Sequence, residues 1–341
     1  DDLVGGTFET QFSFAQALTE AAAQTPGALV LVSIPASDVR SADGDMPVND
    51  LETGGEHGRA ALGRLEHVVG RTAHQWQPAS SVESFEIVRR RLFSEPDDTA
   101  SRRISATARK FVEYYRKNHG DLPSHVREGA YEERIRRAFP IHPELFDRLY
   151  EDWSTLERFQ RTRGVLRLMS TVVKTLLDSG DRAPMIMPGS VPVGSAAVTS
   201  EFMQYVDTAW RVVIDTDVEG ENSNAALVDS ERSLLGNRHT TVRLARALFI
   251  ASAATHSSAH KGVSAQDLFL GVAMPGDVIG NFHSALNLLE DRSTYVFHDA
   301  ARHWLDVSPS LNRTARDRAN SLEESVVESA LIDWLRRACD D

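Results

Sequence analysis

Apolar positions near the start of the chain follow first a helical and then a strand pattern. Residues 8 to 23 carry apolar side chains at every third or fourth position, and Thr25, Pro26 and Gly27 end the run. The unbroken apolar run from 28 to 34, ALVLVSI, is typical of a strand buried on both faces of a parallel sheet. A helix followed by such a strand predicts an α/β layer.

The middle of the chain is predicted to be helical. Apolar residues keep a helical period from about 81 to 177, and the Pro- and Gly-rich segment from 183 to 194 then indicates a domain connection. Arg211–Val218, a branched apolar run ending in acidic residues, is predicted to form a strand.

The pattern after residue 239 predicts three helices and a hairpin. The helices are expected over about 240–254, 264–273 and 277–291, and the strands over 295–297 and 303–307. Three helices followed by a hairpin within about 70 residues are typical of a winged helix.

These elements predict a mainly α protein with a partial α/β layer. The sequence divides into a partial α/β unit, a helical unit, a connecting segment with a strand, a winged-helix-like domain and a further helical region, at residues 1–80, 81–182, 183–238, 239–310 and 311–341.

Charged residues are distributed unevenly along the chain. The net charge of −12 argues against general adhesion to nucleic acid or acidic membranes. Residues 102–182, however, hold 17 basic and 12 acidic side chains. Positive potential is therefore concentrated on one helical unit, which could also reflect solvated arginine-rich helix faces.

Cysteine content and apolar run length point to the cytoplasm. Cys339 is the one cysteine of the sequence, so no intrachain disulfide can form. The apolar stretches are shorter than the roughly 20 residues that a membrane-spanning helix needs. A reducing, cytoplasmic location is the expectation.

Most common catalytic motifs are absent from the sequence. None of the four lysines lies in a phosphate-binding G-x-x-x-x-G-K-[ST] loop, and neither H-E-x-x-H nor G-x-S-x-G occurs. Asp215 and Asp217, at the end of the predicted strand, imitate a magnesium-binding pair, although acidic residues are common at strand ends.

The segment from Phe139 to Met169 is the most informative. Its first half begins a helix between two prolines, and its second half enters another helix with several arginines. Because the guanidinium group is planar and permanently charged, Arg161, Arg163 or Arg167 could bind a phosphate there. A helix with solvated arginines is the alternative.

Several segments together resemble a known family. GTFETQFSFAQALTEAA, SIPAS, VESFEIVRRRLF, FPIHPELFDRLYEDWSTLERFQRTRGVLRLM and LGVAMPGD are similar to large predicted AAA+ ATPases of bacteria and archaea. Members are often encoded beside DNA methyltransferases in genomic islands associated with phage defence. The resemblance implies that this chain begins after the magnesium-binding strand, so the phosphate loop would lie upstream.

The resemblance also implies roles for particular residues. Ser33, with Ser37 as the alternative, matches the polar residue that orients the attacking water. Arg71, with Arg64 as the weaker candidate, matches the arginine that reaches the γ-phosphate of a neighbouring subunit in an oligomer.

The lid arginine that touches the same nucleotide matches Arg163, with Arg167 one turn further on. Under this resemblance the fold is the end of an AAA+ core, a helical lid and a winged-helix-like domain. ATP and Mg²⁺ are expected to bind the full-length parent and not to bind this chain tightly, which alone is expected to be inactive.

Other functions remain open at the level of the sequence. The lid and winged helix could form a non-enzymatic platform for a methyltransferase or another defence protein. The basic helical unit could instead make the chain a DNA-binding regulator, and Asp215 and Asp217 could serve a metal-dependent phosphotransferase.

Direct groove reading by the third helix of the winged-helix-like domain is disfavoured, because residues 277–291 contain no Lys or Arg. Contacts to the phosphates of a DNA backbone could still come from Arg302, Arg313, Arg316 and Arg318.

Overall fold

The computed structural model describes most of the chain. It covers residues 8–31, 81–156, 158–159, 161–258, 261–299, 301–310 and 322–339. The chain divides into two compact units, Asp1–Glu83 and Ser84–Asp341.

The described part is mainly α-helical, as the sequence predicts. The α-helices, numbered α1 to α14 in chain order, are Phe8–Gln24, Ser81–Leu92, Asp98–Lys117, Gly129–Ala138, Pro143–Asp147, Arg161–Asp178, Ala196–Phe202, Trp210–Val213, Asn224–Glu231, Ser233–Gly236, Thr240–Ala253, Ala265–Leu270, Ile279–Arg292 and Glu324–Cys339. Short 3₁₀ helices lie at Ser124–Arg127, Trp153–Thr155 and Pro188–Ser190, and π-helical turns at Arg148–Asp152 and Ile214–Val218. No helix of the described residues is long and apolar enough to cross a membrane.

Side-chain caps fix where several helices begin. The carboxylate of Asp97 accepts a hydrogen bond of 2.7 Å from the backbone N–H of Ala100 at the start of α3. Ser223 and Ser264 cap α9 and α12 in the same way. These contacts satisfy backbone donors that have no partner inside the helix.

One hydrophobic core runs through the second unit, from Val88 to Leu305. At its centre the ring of Trp153 packs against Phe202 and Phe249, with centroids 4.9 and 6.3 Å away. The Trp153 indole N–H donates to the carbonyl of Ile250 at 2.8 Å, so the only strong polar group of this buried ring is satisfied. The helices before and after residue 183 therefore share a core.

The predicted order of three helices and a hairpin after residue 239 is confirmed. α11, α12 and α13 are followed by the antiparallel strands β1, Val296–His298, and β2, His303–Leu305. Val263, between α11 and α12, forms an antiparallel bridge with His303 of β2. These strands are the one sheet of the described residues.

The predicted strand over Arg211–Val218 is wrong, because this segment is helical. α8 continues directly into the π-helical turn Ile214–Val218. Trp210, Ile214 and Val218 are buried, at the four-residue spacing of one helix face. A short apolar run does not distinguish a buried strand from a buried helix, which explains the error.

The strand predicted from 28 to 34 is not formed in its described part. Residues 28–31 belong to no helix or strand, and Leu29 and Leu31 are exposed rather than buried on both faces. Within the described residues no other backbone pairs with this segment as a ladder, and a strand requires such a partner. Residues 32–34 lie outside the described residues.

Candidate functional site

The sequence-predicted site residues fall into two groups. Ser33 and Arg71, with the alternatives Ser37 and Arg64, lie outside the described residues. Arg163 and Arg167 both lie on α6, one helical turn apart, and the surface around them is the candidate site.

Arg163 lies in the first turn of α6 with an exposed side chain. The next residue, Gly164, packs so closely on the buried Phe159 ring that a Cβ atom there would lie 3.0 Å from the ring. Phe159 in turn packs edge-on against Tyr205, with ring centroids 4.9 Å apart. The aromatic contact holds in place the first turn of α6, which carries Arg163.

Arg167 is engaged in an ion pair. Its Nε atom lies 2.9 and 3.1 Å from the two carboxylate oxygens of Glu201, a residue of α7 that is almost fully buried. Glu201 also accepts hydrogen bonds from Tyr205 Oη at 2.6 Å and from Gln204 Nε2 at 3.1 Å. Arg167 therefore ties α6 to α7, and a ligand would have to compete with Glu201 for it.

The two arginines consequently offer different chemistry to an anion. The N-terminal turn of a helix carries a partial positive charge, and an arginine in that turn adds a full one. Arg163 places that charge in the first turn of α6, and Arg167, one turn further on, is paired with Glu201. The two candidates therefore differ in their distance from the N-terminus of the helix.

A buried hydrogen-bonded chain joins α3 to the start of α5. The backbone N–H of Glu144 donates to His142 Nδ1 at 3.2 Å, and His142 Nε2 lies 2.9 Å from Tyr115 Oη. Since Nδ1 accepts, the neutral imidazole carries its proton on Nε2 and donates to Tyr115, whose hydroxyl donates to the carbonyl of Ala273. Burial lowers the pKa of His142 to about 3, so the ring is neutral at pH 7.

Two carboxylates lie on either side of an arginine, four residues apart, along the face of α5 and the π-helical turn that follows it. Arg148 bonds Glu144 at 2.8 Å and Asp152 at 3.1 Å. Burial raises the pKa of Glu144 to about 7 and also raises the pKa of Asp152, while Arg148 opposes both shifts. The four-residue spacing of this ladder was readable in the sequence, and its burial was not.

Asp277 organises a second buried charge cluster, which the sequence analysis missed. Its carboxylate accepts from Arg243 at 2.9 Å, from Arg238 at 2.8 Å and from the backbone N–H of Met274 at 2.9 Å. Arg243 also donates to the carbonyl of Val272. All these donors hold the loop between α12 and α13, so the cluster is structural.

The proposed magnesium pair is not assembled. Asp215 is exposed, whereas the buried carboxylate of Asp217 accepts from the backbone N–H groups of Thr294 and Tyr295 at 3.1 and 2.6 Å. Asn224 Nδ2 donates to it at 2.6 Å. Nowhere in the described ranges do three or more His, Cys, Asp or Glu side chains form a group that could hold a metal ion.

Two residues of the predicted winged-helix-like domain contact other segments of the chain. His283, on the outer face of α13, lies 2.8 Å from Asp121 in the loop after α3. Arg302, between the two strands, donates to the backbone carbonyls of Lys261 and Gly262. Arg313, Arg316 and Arg318 lie outside the described residues.

Comparison with known proteins identifies a family. A family model described as the second domain of DUF499 matches residues 79–263, more than half of the chain, and the matched range includes Arg163 and Arg167. No curated protein and no solved structure matches the chain.

Proposed function

This chain belongs to the DUF499 family, and we propose that it supplies the lid of an ATP-hydrolysing AAA+ protein. In this proposal the matched range contains the lid, the helices and hairpin that follow form a winged-helix-like domain, and the phosphate loop and magnesium ligands lie upstream. Arg163 contacts the nucleotide phosphates from the lid, while Arg167 holds the lid together through Glu201.

The position of Arg163 carries this proposal. A lid arginine must reach a phosphate from a rigid element, because a mobile side chain loses part of its binding energy to ordering. Arg163 meets that requirement, since Phe159 and Gly164 fix the first turn of α6 and the side chain remains exposed. Phosphate charge at a helix N-terminus is also favoured by the helix dipole.

The order of elements after the lid supports the winged-helix part of the proposal. A winged helix places a short strand between its first two helices and pairs that strand with the last strand of the hairpin. Val263 lies between α11 and α12, and its N–H and C=O groups exchange hydrogen bonds of 3.0 and 2.9 Å with His303. The contact between His283 and Asp121 supports a packing role for this domain rather than groove reading by α13.

The remaining parts of the proposal concern the parent protein. Ser33 orients the attacking water, and Arg71 reaches the γ-phosphate bound by a neighbouring copy in a homo-oligomer. ATP with Mg²⁺ is the cofactor, and a cytoplasmic phage-defence system that includes a DNA methyltransferase is the setting.

A purely protein-docking function receives less support. Such a platform should expose a large apolar patch over residues 240–310. Val278 is the one large apolar residue that is strongly exposed among the described residues of that range.

A nucleotide titration tests the proposal. The chain, and a version extended upstream to include the phosphate loop, are titrated with a fluorescent ATP analogue and Mg²⁺. The extended protein should bind, and Arg163→Ala should weaken its affinity about tenfold or more, as expected for loss of a hydrogen bond between charged groups. Arg137→Ala is the matched control, because Arg137 is an exposed arginine paired with Glu133.

Two results would overturn the proposal. Equal binding by the short chain would mean that its nucleotide site needs no phosphate loop. Equal affinities of the two arginine variants would remove Arg163 from the site.

A further inference from the structure

Two parallel rows of basic side chains run along the exposed face of α3. Residues seven apart lie two turns apart on one side of a helix, about 10.5 Å along its axis. The rows consist of exposed residues only: Arg102, Arg109 and Arg116 in one, and Arg103, Lys110 and Lys117 in the other. Together they form a band of positive charge about 22 Å long.

These cations differ from several exposed arginines of α2 and α4, which are paired with acidic residues. Arg90 of α2 pairs with Glu86 at 2.6 Å, while Arg136 and Arg137 of α4 pair with Glu133 at 3.2 and 3.1 Å.

No acidic residue of the described ranges forms an ion pair with any of the six basic residues of α3. Arg116 Nε donates to the carbonyl of Arg127 at 2.9 Å, a contact that leaves its charge unbalanced. Glu113 is the one acid between the rows, and Asp98 lies at the start of the helix. Repulsion among uncompensated like charges is a cost that an anionic partner would remove.

The helix is a rigid support for these charges. Its opposite face buries Ala108, Phe111, Val112 and Tyr115 in the core. Asp97 caps its first turn, and the side-chain amide of Asn118 donates to the carbonyl of Tyr114 at 2.9 Å in its last. A surface depression with a volume of about 470 Å³ lies along the first turns of this face and is lined by Asp98, Ser101, Arg102, Ser105, Ala106 and Arg109.

The chemistry of the band fits phosphodiesters better than lipid. No large apolar side chain of α3 is exposed, so the helix has nothing to insert among acyl chains. Four of the six cations are arginines, which bind phosphate oxygens in a planar, bidentate way. A length of about 22 Å corresponds to about six base pairs at 3.4 Å per step.

From these observations we propose that the exposed face of α3 binds the phosphate backbone of a nucleic-acid duplex. The contact positions the protein without reading sequence, because phosphates carry no base identity. It involves neither α13 nor a nucleotide, so it is independent of the proposed ATPase role.

Fluorescence anisotropy with a labelled 20-base-pair DNA duplex tests this site, in the absence of ATP and between 50 and 200 mM salt. The variant Arg103→Gln, Lys110→Gln, Lys117→Gln removes one row. The control Arg90→Gln, Arg136→Gln, Arg137→Gln removes the same charge from arginines that are exposed but paired. Since each phosphate contact contributes about 0.9 to the salt slope, losing the row should reduce the slope by about 2 to 3.

We expect the row variant to bind at least tenfold more weakly at 100 mM salt, and the control to stay within about twofold of the unchanged protein. A second variant, Arg102→Gln with Arg109→Gln, should weaken binding in the same direction. Because every changed side chain is exposed, unfolding midpoints should agree among the proteins.

The proposal is overturned if the two triple variants lose the same affinity, since long-range charge alone would then explain binding. It is also overturned if the unchanged protein does not bind the duplex at 50 mM salt, or binds phosphatidylserine vesicles in preference to it.

Discussion

Gly164 is the residue on which the geometry of the candidate site depends most directly. A Cβ atom at this position would lie 3.0 Å from the ring of Phe159, which is buried between Trp153 and Tyr205 and cannot move freely. Gly164→Ala should therefore lower the free energy of unfolding by about 1 kcal/mol, because crowding in a packed core outweighs the better helix propensity of alanine. Urea denaturation measures this change.

Gly280 provides the matched control for that substitution. It lies near the start of α13, and a Cβ atom there would meet nothing within 4 Å. Gly280→Ala should raise stability by up to about 0.5–1 kcal/mol. Effects of the same sign at both positions would contradict the packing argument.

His142 should make the protein less stable in mild acid. Its pKa falls from 6.5 to about 3 on burial, so between these values the unfolded chain binds a proton that the folded chain does not. The contribution of His142 to stability is then complete above pH 6.5 and is lost as the pH falls, by roughly 3 kcal/mol at pH 4. The pKa of Glu144 rises from 4.5 to about 7, so its contribution to stability is present below pH 4.5 and is lost as the pH rises to about 7. The two groups therefore oppose each other between these pH values.

His142→Asn isolates the histidine, because the asparagine oxygen can still accept from the Glu144 N–H. At pH 7 the variant should lose about 1–3 kcal/mol, because Tyr115 loses its partner, but its stability should fall less steeply below pH 6.5. Denaturation curves from pH 7 to 4 test this, with the exposed His119→Asn as control. An unchanged slope in the His142 variant would show that another group causes the acid sensitivity.

At the scale of elements, hydrogen bonds to Asp217 connect the π-helical turn Ile214–Val218 to the residues before β1. An asparagine keeps one acceptor oxygen but loses the charge that strengthens the bonds to Thr294, Tyr295 and Asn224. Asp217→Asn should therefore cost about 1.5–3 kcal/mol. The exposed Asp215→Asn should change stability by less than about 0.5 kcal/mol.

Thermal unfolding with and without Mg²⁺ measures both effects. Mg²⁺ should change neither midpoint, since the oxygens of Asp217 face backbone amides. A midpoint that rises with Mg²⁺ in the unchanged protein and not in Asp217→Asn would instead support a metal site.

The same element shows where sequence patterns stop being informative. The long helices α3, α6, α11 and α13 were predictable, because each repeats its apolar face over several turns. The run from 211 to 218 is too short to reveal a period, and it became helical because its buried residues pack on a core contributed by distant segments. Tertiary packing decides such cases.

At the scale of the whole molecule, the second unit is held together by contacts between residues far apart in sequence. The indole of Trp153 donates a hydrogen bond to the carbonyl of Ile250, and Arg167 forms an ion pair with Glu201. The sequence identified Arg163 and Arg167 as anion-binding candidates, but only the fold shows that Arg167 is paired with Glu201. Likewise, the local excess of basic residues was visible in the sequence, whereas their unpaired arrangement on α3 was not.

The central claim is that Arg163 acts on a nucleotide from the lid, and ATP turnover tests it most directly. Hydrolysis is measured for the protein extended upstream, for its Arg163→Ala and Arg137→Ala variants, and for the 341-residue chain alone. We predict at least a tenfold fall in kcat/KM for Arg163→Ala, little change for Arg137→Ala and no turnover by the shorter chain. Unchanged turnover in Arg163→Ala, or hydrolysis by the shorter chain that this substitution abolishes, would contradict the account.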